Sequence, residues 1–133
     1  MTPSLEDYLE SVYLLVEEKK VARVKDVAEK LGVKKPSVIN AVRELESRGF
    51  LNHEKYGYID LTDTGGVKAR EILKKHVMLK RFLLELIGVS EENAEKDACR
   101  IEHYLSDETL EKLEKFMVDA IGGTGKVLAG GAI

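Results

Sequence analysis

Between Val24 and Leu45 the apolar residues fall at helical spacing in two short runs. Val24, Val27, Ala28 and Leu31 form the first, and Val38, Ala41, Val42 and Leu45 the second. Intervals of three and four residues put each run on one face of a helix. Gly32 follows the first run where a left-handed cap belongs, and Pro36 sits in the first turn of the second, where a missing N–H costs nothing. Two helices joined by a tight glycine-containing turn make a helix-turn-helix, and the remainder of the chain must be arranged around that unit.

On the N-terminal side, Leu5, Tyr8, Leu9, Val12, Leu15 and Val16 predict a helix over residues 4–19, closed by Lys19 and Lys20 as the helix dipole prefers. After Gly49 the period changes. Phe50-Leu51 and Tyr56-Gly57-Tyr58-Ile59-Asp60-Leu61 read as two short strands around a glycine turn, which is a wing. Thr62-Asp63-Thr64-Gly65 then supplies N-cap chemistry for a long helix whose apolar residues, from Ala69 to Ile87, end at Gly88. A further helix is predicted over residues 91–104, and Ser106-Asp107-Glu108 caps a last one with Leu110, Leu113, Phe116, Met117 and Ile121 apolar. The expectation is a mainly α chain. A winged helix-turn-helix occupies residues 1–63, an all-helical domain 64–121, and a flexible tail with five glycines 122–133.

A net charge of −3 argues by itself against nucleic acid, but the charge is segregated. From Lys19 to Arg43 there are eight basic residues (Lys19, Lys20, Arg23, Lys25, Lys30, Lys34, Lys35 and Arg43) against Asp26 and Glu29; from Glu85 to Asp119 there are eleven acidic residues against Lys96, Arg100, Lys112 and Lys115. The first segment suits phosphates and the second suits cations. No apolar run approaches the roughly 20 residues that span a bilayer, and residues 1–20 do not resemble a secretory signal, so the expected setting is cytoplasmic with no membrane partner. A single cysteine forms no internal disulfide. Cys99 is therefore a small buried hydrophobe, a dimer crosslink or a thiolate ligand.

On the second helix of the helix-turn-helix, Lys34, Lys35, Ser37 and Asn40 follow the Pro36 turn near the N-terminal end that enters a major groove, with Arg43 one turn further. The lysines suit phosphate, and Asn40 suits a bidentate pair with adenine. Lys55 and Tyr56 at the wing tip are candidates for the DNA backbone or minor groove. Cys99, Glu102 and His103 fall at i, i+3 and i+4, so a soft, a hard and an imidazole donor share one helix face. An ordinary amphipathic helix produces the same spacing. Asp7 and Glu10 are placed to lend oxygen ligands or to complement the dipole of the first helix. His76, a lone histidine after Lys74-Lys75, reads by residue type as a surface group, and so does His53.

Several segments together resemble the diphtheria toxin repressor and manganese transport regulator family of metal-dependent transcriptional repressors. They are Leu5-Glu6-Asp7-Tyr8-Leu9-Glu10, Arg23-Val24-Lys25-Asp26-Val27-Ala28, Pro36-Ser37-Val38, Leu61-Thr62, Lys75-His76 and, most specifically, Asp97-Ala98-Cys99-Arg100-Ile101-Glu102-His103-Tyr104-Leu105-Ser106-Asp107. The resemblance covers nearly all of residues 3–121. It implies a DNA-binding domain followed by a metal-binding and dimerisation domain, with Asp7, Glu10, His76, Cys99, Glu102 and His103 as ligands. Asp7 and Glu10 are those of the manganese-sensing branch, and Cys99 is that of the iron-sensing branch. The implied cofactor is Fe(II) or Mn(II), with other divalent first-row metals accepted in vitro. Lys80 and Glu95 stand where the iron branch places a glutamate and a histidine of its ancillary site, so a second site is either rebuilt around His76, Glu10 and Glu95 or missing.

The function so implied is a metal-dependent regulator, by family default a repressor, that binds operator DNA as a homodimer. The alternative is a winged-helix regulator that senses a non-metal ligand. An enzyme is discounted, because the chain offers neither a glycine-rich phosphate loop nor a spare general base near the Cys99 cluster.

Overall fold

In the computed structural model, which describes residues 3–54 and 57–121, the first helix α1 runs over Pro3–Lys19 and is followed by a two-residue strand β1 (Ala22–Arg23) and helix α2 (Val24–Leu31). Asp26 accepts a hydrogen bond from the Arg23 N–H at 3.2 Å and so secures the entry to α2. Gly32 closes α2 at φ 65°, and its N–H returns to the carbonyls of Ala28 and Glu29. Helix α3 (Lys35–Ser47) begins with Lys34 as N-cap and Pro36 in the first turn.

Strands β2 (Leu51–His53) and β3 (Tyr58–Leu61) form the wing hairpin, and β1 adds to its other edge in the antiparallel order β1-β3-β2. Ala22 pairs with Ile59, Arg23 with Tyr58, and Leu51 with Leu61. The third strand was not expected. Two residues leave no alternation to read, and their pairing partner lies more than thirty positions away. Arg23 reinforces the pairing by donating from Nη2 to the Tyr58 hydroxyl at 2.7 Å, with its guanidinium 4.7 Å from the ring centre.

The chain divides into two compact units, Met1–Arg70 and Glu71–Ile133. Helix α4 (Asp63–Arg81) contains the division. In the first unit the buried side chains include Leu9, Val12 and Leu15 of α1, Val27 of α2, Val38, Val42 and Leu45 of α3, and Leu51 and Ile59 of the sheet. Those of α1, α2 and α3 are the residues whose spacing predicted the helices. Thr62 joins the wing to α4: its Oγ1 donates to the Gly49 carbonyl at 2.6 Å and accepts from the Gly65 N–H at 2.9 Å.

The second unit is built on Met78, Leu79, Ala98, Leu110 and Met117, with Phe82, Leu83, Leu105 and Leu113 packed against them. The long helix expected to reach Gly88 does not stay α-helical. Phe82–Ile87 forms a π-helical turn, and Gly88 closes it at φ 83°. Gly88 N–H bonds to the Leu83 carbonyl, and Val89 N–H reaches the same oxygen at 2.9 Å, so this six-residue closure displaces the regular α register. Helix α5 (Glu91–Ile101) opens on Ser90, whose Oγ accepts from Asn93 N–H. It ends three residues short of the expected 104, because the Tyr104 N–H turns back to the Ile101 carbonyl at 3.0 Å. Helix α6 (Asp107–Ile121) is capped by Ser106, which accepts from the Thr109 N–H at 3.1 Å. The proposed tail, 122–133, lies outside the described residues.

Candidate metal centre and nucleic-acid interface

Helical spacing places His76 on the buried face of α4, four residues after Ile72 and three before Leu79, both of which are 1 % exposed. The surface position suggested by its residue type is therefore corrected: His76 is only 9 % exposed. Its Nδ1 lies 3.2 Å from Glu102 Oε2, and its Nε2 lies 3.0 Å from each carboxylate oxygen of Glu95. Glu102 caps α5 with helical backbone angles and remains in the last turn, its N–H bonded to the Ala98 carbonyl at 3.1 Å. Its side chain is buried, and Oε1 lies 3.3 Å from His103 Nε2.

One ligand atom from each of His76, Cys99 and Glu102 falls within 4.8 Å of the others. A thiol, an imidazole and a buried carboxylate gathered so closely match the donor set of a borderline divalent ion. A carboxylate taken out of water needs opposite charge beside it, and a divalent cation provides this. His103 adjoins the cluster through Glu102. Asp7 and Glu10 belong to the first unit, half-buried on successive turns of α1.

Electrostatics within the second unit match this geometry. Burial pulls the His76 imidazole down, but hydrogen bonding and charge attraction from Glu102, and then from Glu95, outweigh it and raise the group from 6.5 to about 9. Burial pushes the Glu95 carboxyl up, but His76 and Lys80 hold it below its ordinary value. Lys80 Nζ lies 3.2 Å from Glu95 Oε2 and 3.9 Å from Glu91 Oε1. Glu95, expected only in a rebuilt second site with His76 and Glu10, stands four residues before Cys99 on the same face of α5.

On α3 the division between core and surface follows the expectation. Val38, Ala41, Val42 and Leu45 are buried, while Lys34, Lys35, Pro36, Ser37, Asn40 and Arg43 are all exposed. The helix therefore presents its polar face at the end suited to a major groove. Lys55 and Tyr56 lie outside the described residues.

Residues 1–59 match the family model for the iron-dependent repressor N-terminal DNA-binding domain, and residues 62–119 match that for the iron-dependent repressor metal-binding and dimerisation domain. The chain belongs to the iron-dependent repressor family. It is 42 % identical over 118 residues to an uncharacterised HTH-type transcriptional regulator of Methanocaldococcus jannaschii, covering 88 % of this chain and 94 % of that protein. It is 44 % identical over 112 residues to the HTH-type transcriptional regulator MntR of Geobacillus kaustophilus, covering 84 % of this chain and 79 % of that one. Among solved structures, the manganese regulator SloR matches at a TM-score of 0.77 with 32 % identity over 88 % of this chain, and the metal-dependent transcriptional regulator MtsR at 0.80 with 30 % identity over 88 %. The chain spans about half the length of both structures, 54 % of each.

The protein is thus a metal-dependent transcriptional regulator and not an enzyme. A domain matched as metal-binding also removes the alternative of a regulator tuned to a non-metal ligand. Among the described residues, no helix is long and apolar enough to cross a membrane.

Proposed function

We propose that the protein is a cytoplasmic repressor that binds double-stranded operator DNA as a homodimer when Fe(II) or Mn(II) is bound. The observation that carries this reading is the convergence of His76, Cys99 and Glu102 in the domain matched as metal-binding. The proposed ligands are those three with His103, completed by Asp7 and Glu10 of α1 as the family resemblance implies. The proposed domain limits are 1–63 for DNA binding and 64–121 for metal binding and dimerisation, with 122–133 as a tail.

When bound, the divalent ion supplies positive charge that several anionic side chains can share. An ion bound by the ligand set that the family resemblance implies would limit the freedom of the DNA-binding units of a dimer. A two-fold dimer must present its recognition helices about 34 Å apart, or a multiple of that, to meet successive major grooves. Restricting that freedom in advance reduces the ordering cost of binding, and linkage requires DNA to tighten metal binding by the same factor. On α3, Lys34, Lys35 and Arg43 suit phosphates, and Ser37 and Asn40 suit base edges, with Pro36 setting the turn that exposes them. Lys55 and Tyr56 are proposed to meet the backbone from the wing.

The test begins by selecting duplexes from a random-sequence pool under anaerobic conditions with Fe(II), with Mn(II) and with chelator. The selected site is then titrated in each state. Binding with metal and a loss of at least tenfold with chelator are expected. Equal affinity in all three states overturns the reading.

A further inference from the structure

Each ring nitrogen of His76 has a carboxylate of its own. The buried Glu102 lies against Nδ1 at 3.2 Å, and the half-exposed Glu95 lies against Nε2 with both oxygens at 3.0 Å. The Glu95 carboxylate is held from its other side by Lys80, whose Nζ is 3.2 Å from Oε2 and whose side chain is only 16 % exposed. Helix periodicity accounts for the arrangement. His76 and Lys80 are four residues apart on α4, so an imidazole and an ammonium project side by side toward one carboxylate of α5. That carboxylate stands one turn before Cys99.

We infer that Glu95, braced by Lys80, is the positioning residue of the candidate metal centre and fixes which nitrogen of His76 faces the ligands. This deepens the metal-centre reading and rests on it. A carboxylate that receives one N–H on both oxygens keeps the proton on Nε2, so Nδ1 is the nitrogen that yields its proton to an incoming ion and then turns its lone pair toward Glu102 and Cys99. Lys80 occupies the charge of Glu95 with a tethered cation, which makes Glu95 an acceptor for two N–H donors rather than a ligand. The His76 ring thereby loses freedom before any ion arrives, and its basicity rises because its N–H has a negatively charged acceptor.

The experiment uses the full chain labelled with 15N-histidine and loaded with Zn(II), a diamagnetic ion that permits long-range 1H–15N spectra. Zn(II) affinity is measured in parallel by competition with a chromophoric chelator. The wild type is expected to show His76 protonated at Nε2 and metal-bound through Nδ1. Glu95→Ala is expected to weaken zinc by about 10–100-fold, the range for removing an outer partner of a ligating histidine, and to lose the single protonation pattern. Glu95→Gln, whose carbonyl oxygen still accepts the N–H, is expected to keep that pattern and recover part of the affinity. This rescue separates positioning from a general structural effect, and the half-exposed location of Glu95 leaves the fold of both variants intact. Wild-type affinity and spectrum in Glu95→Ala, or a His76 bound through Nε2 in the wild type, would overturn the inference. If Glu102→Gln abolishes zinc binding while Glu95→Ala changes nothing, the centre stands and the positioning role falls. If the wild type takes up no zinc, both fall.

Discussion

The backbone of Gly65 lies directly against the carbonyl oxygen of Phe50, where a Cβ would overlap main-chain atoms. Thr62 fixes this approach from both sides, with its N–H on the Phe50 carbonyl at 3.1 Å and its Oγ1 accepting from Gly65 N–H. Gly65→Ala must therefore displace either the start of the wing or the first turn of α4, and neither is a flexible side-chain end. The expected loss is about 1–3 kcal/mol, the usual cost of overpacking. A lower urea midpoint with an unchanged m-value would show it. Gly66→Ala is the control. Its Cβ would meet only the Arg70 guanidinium at 3.4 Å, so it should be neutral or stabilise the helix by up to about 1 kcal/mol.

Metal-free stability should depend on pH through His76, whose folded value of about 9 stands above the 6.5 of the unfolded chain. Below 6.5 both states carry the proton and the stabilisation from Glu102 and Glu95 is complete. Between 6.5 and about 9 only the folded state retains it, so this stabilisation is lost as pH rises. Glu95 has the opposite sign: its carboxyl is held below the ordinary value, so its contribution is present above that value and is lost on acidification through the folded one. Thermal unfolding of chelator-treated protein is expected to show a falling Tm from pH 6.5 to 9, with the slope flattened in His76→Gln. A wild-type Tm that is level across this window would contradict the assignment.

Cys99→Ser exchanges a soft donor for a hard one without altering the size of the side chain much. The variant is expected to shift its ranking toward Mn(II) relative to Fe(II), measured anaerobically by competition against a common chelator. The wild type should also lose affinity more steeply as pH falls, because a thiolate ligand must be freed of its proton. A wild-type metal ranking in the serine variant would remove Cys99 from the ligands.

The exposed side chains of α3 divide by chemistry into two experiments. Lys35→Ala should weaken binding almost uniformly across sequences and reduce the slope of log K against log salt by about 1. Asn40→Ala should leave that slope in place and relax preference at one base pair, at a cost of about 1–3 kcal/mol in discrimination. Salt-dependent titrations on the selected duplex and its single-site variants distinguish the two.

Legibility from sequence followed the range of the interaction. Helices α1, α2 and α3 came from apolar spacing, and Gly32 and Pro36 marked the turn, because both signals lie within a few residues of what they specify. The exposed set from Lys34 to Arg43 is the complement of that same periodicity. Strand β1 and the π-helical turn escaped because each is decided elsewhere: β1 by its partner β3, and the turn by a closure onto the Leu83 carbonyl that outcompetes the α register. His76 shows that residue type alone was the wrong guide. Its spacing from Ile72 and Leu79 already placed it on the apolar face of α4. The contact of Glu95 with His76 spans nineteen positions; the family resemblance named the two together for a second site, but their direct pairing comes from the packing of α4 and α5.

Arg23 is at once the residue that starts α2, the edge partner of Tyr58 and the guanidinium lying over that ring. Tyr58 lies beside the turn of the hairpin, beyond the last β2–β3 pair His53–Ile59, so this one residue ties the outer end of the wing to the head of α2. A push on that end is thereby delivered to the start of the helix-turn-helix instead of being absorbed by a loose joint.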